Sequence, residues 1–406
     1  MKKVIIAMTV LATFGLATVL DGVSGLGLGS NPAAPAIWKN QKRIDAGFNL
    51  LGKTADASGW KANGNEKFAY TDSGLENLWA TYTDSIQDYW YTVGFSTGVG
   101  AYDDPSTTTK IYTNNTKSRL GRTDTKAYNA TGYALNLSVA KNLNLPAVGN
   151  IIGGVKVDFN APAGTYISTQ KWASTYGGNK NVVESSSSYD PYLTFGLGAV
   201  KAIDAKQTLV IGQTLGTERK MTNGDTIYKT NGKQTNKDKG GDGNNDFIPA
   251  ETALGYVYKV SDALEVAGAY VYNWGGKYDY QRFDNKGKDI GDALELNPQA
   301  YRGFGLAVDY IYSEFQAQGY INWAKGSGVV KTEDGDYVDT NSWSLLDDDN
   351  KLIKGNDNTT LGINLLWTPS FANIGTVGVG IENSKDVYGV DTTDSTTTAL
   401  FYTYLF

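Results

Sequence analysis

From Arg43 onward the chain alternates apolar and polar residues with a period of two, the period of an extended strand. In 43–51, Ile44, Ala46, Phe48 and Leu50 fall on one face, and Asp45, Gly47 and Asn49 on the other. Tyr89–Gly100 repeats the pattern, with Tyr91, Val93, Phe95 and Val99 opposite Thr92, Gly94, Ser96 and Gly98. Five hairpins follow: 133–140 with 151–159, 192–200 with 208–215, 254–260 with 264–274, 304–312 with 315–323, and 361–367 with 377–381. Their connections are short, SE in one case and SDA in another. Long polar segments separate the hairpins, at 160–189, 216–250, 275–302, 325–358 and 383–396. Residues 52–88 read as a polar, Gly-rich connection with a short helix around 74–82, and 107–113 as a weak strand.

Two early strands, one weak strand, ten hairpin strands and the closing stretch TTTALFYTYLF give fourteen. The weak strand makes the number even. Short turns alternating with long loops predict an all-β transmembrane antiparallel β-barrel of about 14 strands, with both chain ends on the short-turn side. A sandwich has no reason to sort its loops by length. Tyr and Trp at strand ends, such as Tyr256, Tyr272, Trp274, Tyr312, Trp323 and Trp367, match the aromatic girdles of membrane barrels. The final strand puts Leu400, Tyr402, Tyr404 and Phe406 on one face, an edge that a soluble protein would leave prone to aggregation and a closed barrel does not have.

Composition changes the picture in three places. Mean hydropathy is −0.34 and no apolar run beyond the N-terminus is long enough for a membrane helix, which excludes a helical membrane protein and leaves a barrel open. The chain has no His and no Cys, so Ser-His-Asp and Cys-His catalysis, thiolate metal sites and disulfides are excluded. Catalytic residues, a resident metal and a cofactor are therefore not expected. Lys2 and Lys3, an apolar core and small residues at Gly15 and Ala17 predict a signal peptide over 1–17. Its removal takes two positive charges from a net charge of −6, leaving −8, which argues against nucleic acid as a partner. Residues 18–42 then form a periplasmic or plug segment, and 43–406 the barrel.

Acidic stretches at Asp238–Asp246, Asp284–Asp292 and Asp347–Asp357 lack the closing Glu of a twelve-residue Ca²⁺ loop and read as solvated loops. Gly94–Gly100 and Gly375–Gly380 precede no GK[ST] and read as strand glycines at close packing, a kink or a bulge. The polar strand faces supply the candidate lumen-facing residues: Lys156, Asp158, Asp309, Gln316, Gln318 and Asn322.

The N-terminal stretch GVSGLGLGSNPAA, 22–34, resembles the start of the FadL-like family of outer-membrane transporters for hydrophobic compounds. The segment from Pro249 to Ala267 and the aromatic last strand are similar to that family too, and the stretch before strand one is shorter here. The resemblance implies fourteen strands, a plug containing Asn31, Pro32 and Ala33 inside the barrel, and a lateral opening at a strand kink. The alternative for Asn31-Pro32 is a turn leading into strand one, with an open lumen.

The function expected is passive uptake of small, hydrophobic solutes across the outer membrane of a diderm bacterium. The alternatives are a general porin with a polar lumen, or a structural or surface-antigen barrel. Expected partners are outer-membrane lipid, small hydrophobic or polar solutes, and the barrel-assembly machinery through the strand ending at Phe406.

Overall fold

A computed structural model describes residues 31–33, 42–56, 66–99, 107–112, 120–242, 246–274, 278–280, 294–296, 301–325, 329–331, 337–339, 358–369, 375–385 and 395–405. Residues 1–17, all but four residues of 18–42, and the acidic stretches 284–292 and 347–357 lie outside the described residues.

Fourteen antiparallel strands close into one ring. In chain order they are β1 (Arg43–Asp56), β2 (Glu66–Ile86), β3 (Tyr89–Val99), β4 (Gly132–Leu145), β5 (Gly149–Ala161), β6 (Tyr192–Ala202) and β7 (Gln207–Thr214). The second half is β8 (Glu251–Ser261), β9 (Leu264–Asn273), β10 (Tyr301–Tyr312), β11 (Phe315–Lys325), β12 (Asn358–Trp367), β13 (Thr376–Lys385) and β14 (Ser395–Leu405). Each pairs with its sequence neighbour, and β14 returns to β1, from Arg43 opposite Leu405 to Gly52 opposite Thr396. The short links, 87–88, 146–148, 203–206, 262–263, 313–314 and 368–375, share one end of the ring. The long ones share the other.

The expected count of fourteen is met by a different set of strands. Residues 74–82 are not helical: they belong to β2, which runs the whole of Glu66–Ile86. The weak strand, Thr107–Tyr112, lies outside the ring and pairs with the outer end of β2, Glu66–Ala69. It starts a wing that prolongs the barrel wall at the long-loop end. The wing continues through Leu120–Ala130, Ala163–Trp172, Lys180–Tyr189, Thr226–Thr230 and Lys233–Asp238, the last four inside the two segments 160–189 and 216–250 read from sequence as loops.

The ring is inverted relative to a soluble core. Leu306 is 54% exposed and Phe304 49%, whereas Gln318 is fully buried and Asn364 is 2% exposed. Exposed apolar side chains continue around the outside through Leu137, Val155, Leu197, Leu254, Leu361 and Leu400. Soluble proteins rarely show water an apolar patch of more than a few hundred Å². This belt requires lipid.

Several strand glycines are explained by the inner wall. Trp79, Gly47, Phe401, Gly378 and Leu366 stand in one cross-strand row over β2, β1, β14, β13 and β12. Each ring lies across the glycine beside it: a Cβ on Gly47 would fall 2.7 Å from Trp79 Cζ2, and one on Gly378 would collide with the Phe401 ring. Tyr320 covers Gly362 in the same way. Glycine here is a socket for an aromatic ring. Gly378→Val should therefore lower stability by about 1–3 kcal/mol, seen as a lower urea midpoint for loss of the compact, heat-modifiable gel species. An unchanged midpoint would show that the Phe401 socket contributes nothing.

Candidate functional site

The inner wall has two kinds of surface. A polar belt crosses eight strands at directly opposed positions: Asn77, Asn49, Ala399, Gly380, Asn364, Gln318, Asp309 and Glu265. Within it the Asn364 amide donates to Gln318 Oε1 at 2.8 Å, and the Gln316 amide donates to Asp309 Oδ2 at 2.7 Å. Nearer the short-turn end, Asp45 is 2% exposed and pairs with Arg43 Nε at 2.6 Å. Its second oxygen accepts from Thr403 Oγ1 at 2.7 Å, so this carboxylate clasps the first strand to the last.

On the far wall Asp158 accepts from the Asn136 amide and from Thr194 Oγ1, and Lys156 Nζ lies 3.0 Å away. The six polar residues singled out from sequence thus fall on the inner face in two groups. Lys156 and Asp158 stand on β5. Asp309, Gln316, Gln318 and Asn322 stand on β10 and β11, where all but Gln316 are less than a tenth exposed.

Between the groups lies an apolar arc that sequence reading did not find. Ala140, Val200, Val210, Ala253, Ala267, Val271, Ala307 and Tyr320, on seven strands, are all buried and form one cluster with Ala33. Small Ala and Val on an inner face carry no polar signal, so alternation alone blends them with the outer belt.

Ala33 reaches this arc because Asn31–Ala33 is seated on a floor of small residues. Ala140, Gly154, Gly198, Gly212 and Ala253 are directly opposed across β4 to β8. A Cβ on Gly154 would fall 2.8 Å from the Pro32 carbonyl carbon, and one on Gly198 would collide with the Asn31 amide oxygen. Without side chains at these positions, the segment lies flush on the wall. Asn31 uses both ends of its amide. Nδ2 donates to the Ile211 carbonyl at 2.7 Å, and Oδ1 accepts the Ala33 N–H at 2.9 Å, which closes a turn over Pro32. Pro32 fixes φ and has no N–H to satisfy, and Ala33 is fully buried against the arc. A small niche remains beside the segment, lined by Lys156, Gln213, Glu251 and the floor.

The wall is interrupted near the long-loop end of β3. Its pairing with β4 slips between Thr97 and Val99 around Gly98, at φ 77°, a bulge in a conformation that suits glycine. Its pairing with β2 stops at Leu78. Among the described residues, β2 then has no ladder on that side until Ala69.

No protein-family model and no curated protein matches the sequence. Solved structures do. A Pseudomonas aeruginosa FadL homologue superposes with a TM-score of 0.57 at 11% identity, covering 94% of this chain and 93% of its own. The Pseudomonas putida toluene transporter TodX superposes with a TM-score of 0.52 at 12% identity, covering 97% and 94%. The fold is FadL-like. In outer-membrane barrels the apolar belt sits in lipid, with short turns toward the periplasm and long loops outside the cell.

Proposed function

We propose that this barrel carries small, hydrophobic solutes passively across the outer membrane, along a path closed by its N-terminal segment. The observation that carries the reading is the seat of Asn31–Ala33, which presses a small apolar residue onto an apolar arc facing a polar belt across the lumen. A polar pore for ions and sugars has no use for Val200, Val210 and Val271 at its inner surface, because apolar walls repel water. An apolar solute is stabilised there by about 25 cal/mol per Å² of area that it hides from water. The bulge at Gly98, and a stretch of β2 with no ladder on that side among the described residues, support a side exit toward lipid, where such a solute partitions. Toluene, named for the TodX neighbour, is the size of solute that this reading implies.

The test pairs two measurements on the protein in lipid. Planar bilayers should show near silence. Cells or vesicles bearing the barrel should take up a labelled monoaromatic hydrocarbon several-fold faster than those without it, and a sugar of equal size no faster. Large steady ion currents would make it a general porin. Silence without hydrocarbon uptake would make it a structural barrel.

A further inference from the structure

We infer that the outer face of the extracellular wing binds the anionic core saccharide of outer-leaflet glycolipid through a row of lysines. Lys171 and Lys180 are directly opposed in adjacent strands and both exposed, with Thr123 opposed to Lys171 on its other side. The row's register continues to Lys110, opposite Thr123, and to Lys67 of β2, opposite Lys110. Four of five consecutive register positions are lysine in a chain whose net charge is −6.

Like charges placed opposite one another weaken a sheet. Beside Lys171 and Lys180, Glu184 shares this face and is held by Lys229 at 2.6 Å. The other nearby carboxylate, Asp124, lies on the opposite face and is held by Arg122 at 2.7 Å, with Arg122 stacked 5.0 Å over Trp172. A polyanion outside the protein resolves the repulsion.

The face and its height choose the polyanion. Val155 on β5 is 54% exposed on the lipid side, and alternation carries that side through Ile167, 39% exposed, to Lys171. In the paired strand Ser187 and Tyr189 are buried on the inner side, which puts Glu184 and Lys180 on the outer side as well. The lysines therefore look out over the same side as the lipid belt. Lys171 lies sixteen positions beyond Val155 of the lipid belt, about 50 Å along the strand and about 40 Å in height once a tilt of about 40° is allowed, more than the whole apolar band of about 25 Å. That height is above the acyl chains, in the sugar layer, whose charges are phosphates and sugar-acid carboxylates. The row below supplies Thr125 and Thr169, hydroxyls suited to sugar hydroxyls.

The test uses the full chain in detergent with purified lipopolysaccharide bearing a phosphorylated core, bound species being counted by native mass spectrometry. Wild-type protein should hold this glycolipid at least about tenfold more tightly than Lys171→Glu/Lys180→Glu, as expected of two lysines facing an anionic layer. Lys171→Gln/Lys180→Gln should fall between them, and all three should keep heat-modifiable migration and hydrocarbon uptake. The advantage should vanish with chemically dephosphorylated lipopolysaccharide and survive competing inorganic phosphate. Equal binding by wild type and charge-reversed protein, indifference to dephosphorylation, or displacement by free phosphate would overturn the inference. None of these outcomes bears on the transport reading.

Discussion

Replacing Gly198 with Val should open the barrel. The new side chain would occupy the space of the Asn31 amide, so the amide must leave both the Ile211 carbonyl and the wall. A steric penalty of about 1–3 kcal/mol plus about 1 kcal/mol for the lost hydrogen bond shifts the docked-to-undocked ratio by roughly a hundredfold. In planar bilayers, wild-type silence should give way to resolved current steps, with hydrocarbon selectivity reduced. Gly319→Ala is the matched control, because a Cβ there meets nothing within 4 Å, and it should leave the trace silent. A silent Gly198→Val channel would mean that the segment at the seat does not block the path.

The second large effect is expected at the clasp between the first and last strands. Asp45→Ala removes one carboxylate partner of a guanidinium that is itself 1% exposed, and with it the acceptor for Thr403. Deleting one member of a buried pair costs about 3–5 kcal/mol, chiefly because the remaining charge stays buried. The site also joins strands more than 350 residues apart, so the loss falls on ring closure itself. The expected result is a markedly lower urea midpoint and a larger fraction of unfolded species after refolding into detergent. Asp45→Asn keeps an acceptor for Thr403 and should recover part of the loss. Equal midpoints for wild type and Asp45→Ala would show that the ladder alone closes the barrel.

The parts of this fold that sequence made legible are those where one strand face meets lipid. Each hairpin from 133–159 to 361–381 shows an apolar residue at every second position, because only lipid or a core rewards that period. Where lipid ends, the signal ends. The wing strands carry no unbroken apolar stripe, so the run Ser185–Ser188 and the threonines of 163–172 look like loop although they pair in register.

β2 was hidden for a different reason. Glu76 is an extra residue opposite the step from Asn49 to Leu50, and this bulge breaks the alternation in its middle. Leu75, Leu78, Trp79 and Tyr82 then fall at helical spacing by accident of that insertion. The missing barrel strand and the misplaced wing strand cancelled, so the total was correct while its members were not.

The candidate site was half visible. Asp309 and Gln318 stand out as polar residues inside apolar strands, and Asn31-Pro32-Ala33 as a motif. The floor did not stand out, because Gly154, Gly198 and Gly212 become neighbours only once the registers of β5 with β6 and of β6 with β7 are known.

The central claim is that Ala33 lies docked inside a closed, lipid-embedded ring. The chain has no native cysteine, so Ala33→Cys gives a single thiol whose reaction with a small, water-soluble maleimide can be timed in lipid vesicles. The thiol should react at least about a hundredfold more slowly in the folded barrel than in urea, and Gly198→Val in the same chain, which shifts the docked-to-undocked ratio by about that factor, should abolish the protection. Reaction of the folded protein at the urea-unfolded rate would contradict it.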